Sequence, residues 1–299
     1  MIRKINNRDK TRILEIAAKT WDGDDYLEQV VDEWLRDKQA EFVGLWENNQ
    51  LIGFGRMRFL TPQDVWLEGL RKDPDLPFKG IGKKIANYFL DRLSHVPDLK
   101  SIRFSTYYEN LASIRLNEDL GFVNTTTLSL KNLESDKIRF YPQADNLNKN
   151  PDKKLALDFF RKTRYRKLTS GNGFTPLIYR GWVIYPENEL SLNYYFKNNY
   201  AYTLESNYNI IGLILLCDIH YRQVLWISAL EANNYDNYLI LLKEAIKAAY
   251  LKGKSEIQIL VPEIEEFKKA CRELEFKSWE RENDFLLYEF PIEKLNERK

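Results

Sequence analysis

The two halves of this 299-residue chain repeat one hydrophobic pattern, and this repetition limits the folds that the chain can adopt. Gln50 to Leu70 reads QLIGFGRMRFLTPQDVWLEGL, and Asn209 to Leu230 reads NIIGLILLCDIHYRQVLWISAL, with Ile-Gly and Trp followed by an apolar residue at matching places. Residues 101–122 and 255–276 share a second pattern. Self-similarity on this scale indicates a duplicated module. We therefore expect two related domains, 1–150 and 151–299, which meet near the polar, proline-containing segment NLNKNPDKK.

Periodicity predicts an α/β (α+β) fold in which each module is a mixed, mostly antiparallel sheet flanked by helices. In the first half the expected order is βααβββαβαβ, with a hairpin turn at Asn48-Asn49-Gln50 and a helix over Gly80 to Leu93. Gly121 follows the last helical pattern at a position suited to a left-handed C-cap.

Composition excludes several classes of protein. Net charge is +1, so a large basic field for nucleic acid is not expected, although 161–167 forms one dense basic run. The two cysteines and two histidines have no metal-ligand spacing, which argues against a metal site or a disulfide framework. The sequence has no apolar run long enough to span a bilayer, and we expect a cytoplasmic protein without membrane partners.

The copies differ between the Trp-containing strand and the next strand. From Trp66 to Ile102 the spacing is 36 residues, whereas from Trp226 to Ile257 it is 31. The first copy has DPDLPFKGIG in this interval, and at the corresponding place the second copy has Glu231 to Tyr235, which contains no glycine. A helix N-terminus has unpaired N–H groups and a partial positive charge. When a glycine loop leads into it, a phosphate can approach these groups closely. Only the first half carries this feature.

The stretch WLEGLRKDPDLPFKGIGKKIANYFLDRL and the later NLASIRLNEDLGF resemble the acetyl-CoA site of the GNAT N-acetyltransferase superfamily. The resemblance covers the whole first half. The second half resembles a degenerate second module without a cofactor loop, and the stretches around 21–35 look most like the histidine N-acetyltransferase-like group. Pro77 and Asn117 depart from the family pattern, which has Arg or Gln at the first position and Tyr at the second.

The resemblance implies that acetyl-CoA binds to the first half and that an amine attacks its thioester directly in a ternary complex. The strand Leu67 to Lys72 would splay from its neighbour and pair with the pantetheine arm, while the Leu70 N–H polarises the thioester carbonyl. The residues expected to bind the cofactor are Leu70, Arg71, Lys72, Lys79, Gly80, Ile81, Gly82, Lys83, Lys84, Asn110 and Ser113.

Glu68 is the candidate base, and an exposed strand carboxylate is the competing interpretation. The second copy has Ser228 at the matching position. Asn117 stands where the family's acid stands, and Tyr107 and Tyr108 could replace it as hydrogen-bond donors. A thiol pKa of about 8.5 makes the leaving thiolate stable enough that little help is needed.

The resemblance implies that the connection between the first two helices borders the acceptor, so Asp24, Asp25, Tyr26 and Glu68 are expected to bind it. The carboxylates of Asp22, Asp24, Asp25 and Glu28 would attract a cation there, although an acidic N-cap cluster at Tyr26 is the competing interpretation. We expect acetylation of the primary amine of a small molecule, such as an amino acid, by a monomer or homodimer. The alternatives are a catalytically weak acetyl-CoA sensor and an enzyme for peptide- or RNA-linked amines.

Overall fold

The computed structural model describes residues 1–23, 25–162, 177–186, 189–219 and 223–298. The described helices are α1 (Lys10–Ala17), α2 (Leu27–Arg36), α3 (Ile81–Ser94), α4 (Leu111–Leu120), α5 (Lys153–Lys162), α6 (Glu189–Lys197), α7 (Tyr235–Leu251), α8 (Glu265–Glu273) and α9 (Ile292–Asn296). The described strands are β1 (Ile2–Lys4), β2 (Ala40–Glu47), β3 (Gln50–Thr61), β4 (Asp64–Lys72), β5 (Ser101–Tyr107), β6 (Val123–Glu134), β7 (Leu147–Asn148), β8 (Leu177–Arg180), β9 (Val183–Pro186), β10 (Ala201–Ser206), β11 (Asn209–Ile219), β12 (Val224–Ala232), β13 (Glu256–Val261), β14 (Lys277–Ser278) and β15 (Phe285–Glu289).

The element order predicted for the first half is confirmed, since the chain runs β1-α1-α2-β2-β3-β4-α3-β5-α4-β6. Asn48 and Asn49 adopt φ values of 48° and 62° at the predicted hairpin turn, as expected for residues that tolerate the left-handed region. Gly121 caps α4 with φ 99°.

By packing, the chain divides into two compact units. The first contains Met1–Phe104, Asn110–Val123 and Tyr288–Lys299, and the second contains Ser105–Glu109 and Asn124–Leu287. The assignment of modules to 1–150 and 151–299 stays a prediction, because packing and chain order divide the molecule differently.

In the first unit, β1 to β4 form successive antiparallel pairs. Strand β5 joins β4 in parallel. Helix α3 covers β3 at two glycines: a Cβ at Gly53 would lie 2.5 Å from Ile81 Cγ2, and one at Gly55 would lie 3.0 Å from Ile85 Cγ2. A second core layer, built by α1 and α2 against the hairpin, includes Ile13, Val31, Trp34, Phe42 and Phe54.

In the second unit the strands pair in the order β6-β13-β12-β11-β10-β7, mostly antiparallel, with β12 and β13 parallel. Strands β8 and β9 form a separate hairpin. The row of residues in β12 is buried throughout, as expected for a central strand that is covered on both faces. None of the described helices combines the length and the apolarity that a membrane crossing requires.

Candidate functional site

The strands β4 and β5 pair only at their beginnings. Asp64, Val65 and Trp66 pair with Ser101, Ile102 and Arg103, and no later residue of β4 pairs with β5 in the described structure. Strand β4 nevertheless continues to Lys72. The predicted splay from Leu67 onward therefore agrees with the observed register. An unpaired stretch of strand edge is the feature that an extended ligand can join through main-chain hydrogen bonds.

A β-bulge interrupts β4 beside this open edge. The register with β3 changes from Phe54 opposite Arg71 to Arg56 opposite Glu68, so Gly69 and Leu70 together face Gly55. Gly69 has φ +65°, a conformation in which an L side chain is strained. A bulge leaves its extra residue outside the regular ladder. The Leu70 amide, predicted to polarise the thioester carbonyl, belongs to this bulge.

Helix α3 begins at the predicted glycine loop, and its two glycines have different physical reasons. Gly80 is the N-cap with φ 73°, and no atom lies within 4 Å of a Cβ added there. A Cβ at Gly82 would lie 2.8 Å from Leu116 Cδ2 and 3.4 Å from Leu70 Cδ2. A Cβ at Gly80 would thus meet open space, so only the backbone conformation favours glycine there, while Gly82 lets α3 approach α4 and the bulge closely. Ile81 between them is buried.

The lysines predicted to surround this N-terminus are exposed to solvent. Lys72, Lys79, Lys83 and Lys84 are all exposed, and none forms an ion pair with another described residue. The helix dipole adds partial positive charge at the same end. This end of α3 therefore combines exposed cations with the unpaired backbone donors of a helix N-terminus, features that favour the binding of an anion.

The loop is anchored at its start by a buried carboxylate that the sequence analysis did not identify. Asp73 follows β4 and is only 1% exposed. It accepts hydrogen bonds from the Arg12 guanidinium and, at 3.1 Å, from the Asp75 N–H. Burial raises the pKa of Asp73, but the Asp75 amide and Arg12 outweigh it, so the pKa lies below its ordinary value. A charge at the end of an apolar strand, followed by a turn, is the signal that indicates such an anchor.

Helix α4 brings its predicted residues to the same unit. Asn110 is its N-cap, and Asn110 Oδ1 accepts a hydrogen bond from the Ser113 N–H at 3.3 Å. Asn117 is buried, and its Nδ2 donates to the Ser113 carbonyl oxygen at 2.8 Å and to Ser113 Oγ at 3.3 Å. The Asn117 amide is thus directed back along its own helix and has no acidic proton to transfer.

Glu68, the predicted base, lies in a buried ion-pair network. Its carboxylate accepts a hydrogen bond from Arg56, which is fully buried and also binds Asp37. Arg58 Nε lies 3.7 Å from Glu68 Oε1, and the Glu68 side chain is 11% exposed. Arg56 is not among the residues predicted from the sequence, although a charged residue in the apolar strand LIGFGRMRF, opposite Glu68 in a hairpin, is a recognisable signal.

On the acceptor side, two predicted residues bind each other. Arg71 Nε donates to Asp25 Oδ2 at 2.7 Å, and Asp25 Oδ1 accepts from the Leu27 N–H at 3.0 Å. Asp25 thus binds the first N–H group of α2, although the N-cap residue itself is Tyr26 and no side chain caps the helix there. The Arg71 guanidinium lies 5.8 Å from the centre of the Tyr26 ring. Asp24 lies outside the described residues.

A small cavity of about 190 Å³ borders this connection between α1 and α2. Leu14, Ala17, Ala18, Gly23, Asp25 and Glu28 line it. Asp25 already accepts hydrogen bonds from Arg71 and from the Leu27 amide. Among the residues that line the cavity, the exposed Glu28 is therefore the carboxylate that can attract a cation.

Tyr107 and Tyr108 lie in the second unit. The Tyr107 hydroxyl donates to Glu109 Oε2 at 2.8 Å, and the Tyr108 hydroxyl donates to Glu109 Oε1 at 2.9 Å. The hydrogen bond to Glu109 raises the pKa of Tyr108 to about 12. Burial and hydrogen bonds to Glu109 and Glu280 raise the pKa of Tyr107 as well. A raised pKa makes each phenol a weaker proton donor to a departing thiolate.

Comparison with known proteins gives a family match over part of the first half of the chain. Residues 5–122 match the model of the acetyltransferase (GNAT) family. The spermine/spermidine N(1)-acetyltransferase of Bacillus subtilis (strain 168) is 30% identical over 87 residues, which are 27% of this chain and 57% of that protein. This chain therefore spans little more than half the length of the curated relatives that it matches.

Solved structures share the fold over nearly the whole chain. A GCN5-related N-acetyltransferase from Sphaerobacter thermophilus aligns with a TM-score of 0.66 at 14% identity, covering 97% of this chain and 94% of that one. A tandem GNAT protein from the clavulanic acid biosynthesis pathway aligns with a TM-score of 0.59 at 9% identity, covering 97% of each chain. At these identities the similarity establishes the fold, and that fold extends across both halves of the sequence.

Proposed function

We propose that this chain, whose residues 5–122 match the model of the acetyltransferase (GNAT) family, transfers the acetyl group of acetyl-CoA to a primary amine of a small molecule. The amine nitrogen attacks the thioester carbonyl directly, the carbon–sulfur bond breaks, and coenzyme A leaves as the thiolate. The attacking ammonium must first lose a proton, and the acetylated nitrogen loses a second one.

One observation carries this proposal: the unpaired edge of β4, its bulge at Gly69 and Leu70, and the N-terminus of α3 lie in one unit, and the Leu70 side chain contacts α3 at Gly82. A coenzyme A thioester has three parts that match them. The pantetheine amides would pair with the edge of β4. The thioester oxygen would accept from the Leu70 N–H. The diphosphate would lie before Gly80, Ile81 and Gly82, where the helix dipole is favourable.

The flanking residues receive supporting roles in this proposal. Lys72, Lys79, Lys83 and Lys84 supply cations around the phosphates, and the Asn110 to Ser113 turn at the start of α4 faces the pantetheine region. Arg71 would act by holding Asp25 in place, since its Nε already donates a hydrogen bond to that carboxylate. These roles keep the cofactor within the first unit.

The proposed proton transfers use a base but do not require a general acid. Glu68 is the proposed base and would act through a water molecule, because Arg56 occupies its Oε1. Asn117 bears no acidic proton, and the raised pKa values of Tyr107 and Tyr108 disfavour donation. A thiol with a pKa of about 8.5 can leave as the thiolate near neutral pH, so the mechanism does not depend on an acid.

The acceptor class follows from charge. Glu28 lies at the cavity between α1 and α2, and a carboxylate there would favour an amine that carries further positive charge. The relatives are named for the acetylation of spermine and spermidine, so polyamines belong with amino acids among the amines to be tested first.

The test compares two matched glycine variants. Gly80 and Gly253 have φ values of 73° and 62°, and neither has an atom within 4 Å of an added Cβ. Gly80→Ala and Gly253→Ala therefore carry a similar backbone strain, but only the first alters the proposed phosphate site. We expect Gly80→Ala to weaken acetyl-CoA binding by about tenfold and Gly253→Ala by less than about twofold, as measured by calorimetry.

Turnover is then followed as thiol release with acetyl-CoA and a panel of polyamines, amino acids and aminoglycosides. Release that depends on an amine supports the proposed enzyme. Binding of acetyl-CoA without turnover of any amine favours the sensor, and turnover only with a peptide- or RNA-linked amine favours the remaining alternative. Equal binding by both glycine variants would contradict the phosphate site.

A further inference from the structure

The residues on either side of Leu70 are each held by a different part of the α2 region. Glu68 precedes the bulge and is linked through Arg56 to Asp37, the C-cap of α2. Arg71 follows the bulge and binds Asp25, two residues before α2 begins. These contacts fix β4 immediately before and immediately after the amide that the proposed function uses.

The bulge itself is held from one side by an indole ring. A Cβ at Gly69 would lie 2.5 Å from Trp34 Cζ3 and 2.6 Å from Trp34 Cη2, so the ring lies directly against the Gly69 backbone. The Arg56 guanidinium also contacts this indole and lies 4.8 Å from the centre of its ring. Trp34 is 5% exposed. The ring therefore contacts both the bulge and the arginine that holds Glu68.

Trp34 cannot easily change position, because aromatic neighbours enclose it. Tyr26 lies 6.0 Å away and Phe42 lies 5.5 Å away, both in edge-to-face geometry, and Phe42 packs in the same way on Phe54. Such pairs favour defined ring orientations. A close-packed core transmits strain rather than absorbing it. The position of the Gly69–Leu70 peptide is thus set by α2 as well as by its own strand.

We propose that Trp34, supported by the Asp37–Arg56–Glu68 and Asp25–Arg71 contacts, is a positioning residue that holds the Leu70 N–H in the direction of the thioester carbonyl. The inference rests on the proposed function, since it assigns a device that serves the same site. A misplacement of about 1 Å at a reacting centre can cost about 100-fold in rate. By fixing the plane of the Gly69–Leu70 peptide, the Trp34 indole therefore affects the rate of acetyl transfer strongly, although it does not contact the reacting atoms.

The chain offers a matched control at Trp46. This tryptophan is 6% exposed, its ring lies 2.6 Å from a Cβ added at Gly44, and the Arg3 guanidinium lies 3.7 Å from its ring centre. It thus has the same neighbours as Trp34, a glycine and an arginine, but it lies on β2 and does not contact the bulge. Trp34→Phe and Trp46→Phe remove the same atoms from similar environments.

The measurement is the infrared band of acetyl-CoA labelled with ¹³C at the thioester carbonyl, which needs no acceptor amine. In the native protein and in Trp46→Phe, we expect binding to shift the band to lower wavenumber, because the carbonyl accepts a hydrogen bond. In Trp34→Phe the band should return toward its free position, while the Kd for acetyl-CoA changes by less than about twofold, because the phosphates hold most of the cofactor.

Asp37→Asn is the second variant and keeps the indole in place. It should give a smaller change in the same direction, and Asp37→Glu should restore the native band. A native band in folded, acetyl-CoA-binding Trp34→Phe and Asp37→Asn proteins would overturn the positioning role. If the native protein binds acetyl-CoA without any shift, the Leu70 role in the proposed function fails instead, and if it does not bind acetyl-CoA, the proposed function fails as a whole.

Discussion

Three glycines near the site are required for three different physical reasons. Gly69 combines a left-handed backbone with the pressure of the Trp34 ring, Gly80 has the backbone conformation alone, and Gly82 has close packing alone. Glycine is therefore needed at Gly69 for its backbone conformation and for the contact with Trp34, at Gly80 for its backbone conformation, and at Gly82 for the contact between helices.

These differences predict unequal costs of adding a methyl group. Gly80→Ala should destabilise the first unit by about 1 kcal/mol, the cost of a left-handed alanine. Gly69→Ala should cost about 3 kcal/mol, because overpacking against Trp34 adds about 1–3 kcal/mol to the same backbone strain. Urea denaturation followed by tryptophan fluorescence gives both values. Equal losses in the two variants would show that the ring moves aside freely and that Gly69 is not clamped.

At the scale of elements, the sequence predicted the order of the first half because its hydrophobic periods and turn residues are local signals. The splay and the Leu70 amide came from the family resemblance, since strand register is not visible in local composition. The pairing of Arg71 with Asp25 joins residues 46 apart, and only the folded chain brings them together. As a result, a cation predicted to bind the cofactor, Arg71, and a carboxylate predicted to bind the acceptor, Asp25, bind each other instead.

The exposed lysines at the start of α3 give a prediction for that element as a whole. A variant with Lys79→Gln, Lys83→Gln and Lys84→Gln should bind acetyl-CoA about tenfold more weakly at low ionic strength, because the phosphates lose three nearby cations. The loss should shrink at high salt, where exposed charges are screened. Calorimetry at two salt concentrations measures both effects.

Lys38→Gln is the control for this series, since Lys38 is also exposed and forms no ion pair with another described residue. It should leave the Kd unchanged at both salt concentrations. A triple variant that binds as the native protein does would place the diphosphate away from α3.

At the scale of the molecule, the first unit is completed by the end of the chain. Tyr288 stacks on Phe104 with ring centres 5.2 Å apart, and Phe290 packs on Phe122 at 5.1 Å. The Phe290 N–H also donates to the Ile102 carbonyl oxygen at 2.9 Å. A polar, proline-containing segment near residue 150 indicates a break in local composition, but it carries no signal that a distant segment returns to the first core.

Deletion of residues 288–299 should therefore unfold the first unit rather than merely shorten the chain. Loss of a buried Phe side chain alone costs about 3–5 kcal/mol, and the deletion removes Tyr288, Phe290 and Leu295 together, each of them buried. A typical domain has only about 5–15 kcal/mol of stability in total, so the site on β4 and α3 should be lost with the core. The expected result is rapid proteolysis within 1–104 and no stabilisation by acetyl-CoA in thermal unfolding. Truncation after Asn296 keeps these side chains and should retain both properties. A deleted protein that still gains thermal stability from acetyl-CoA would show that residues 1–287 hold the site unaided, because only a folded site can bind the ligand in preference to the unfolded chain.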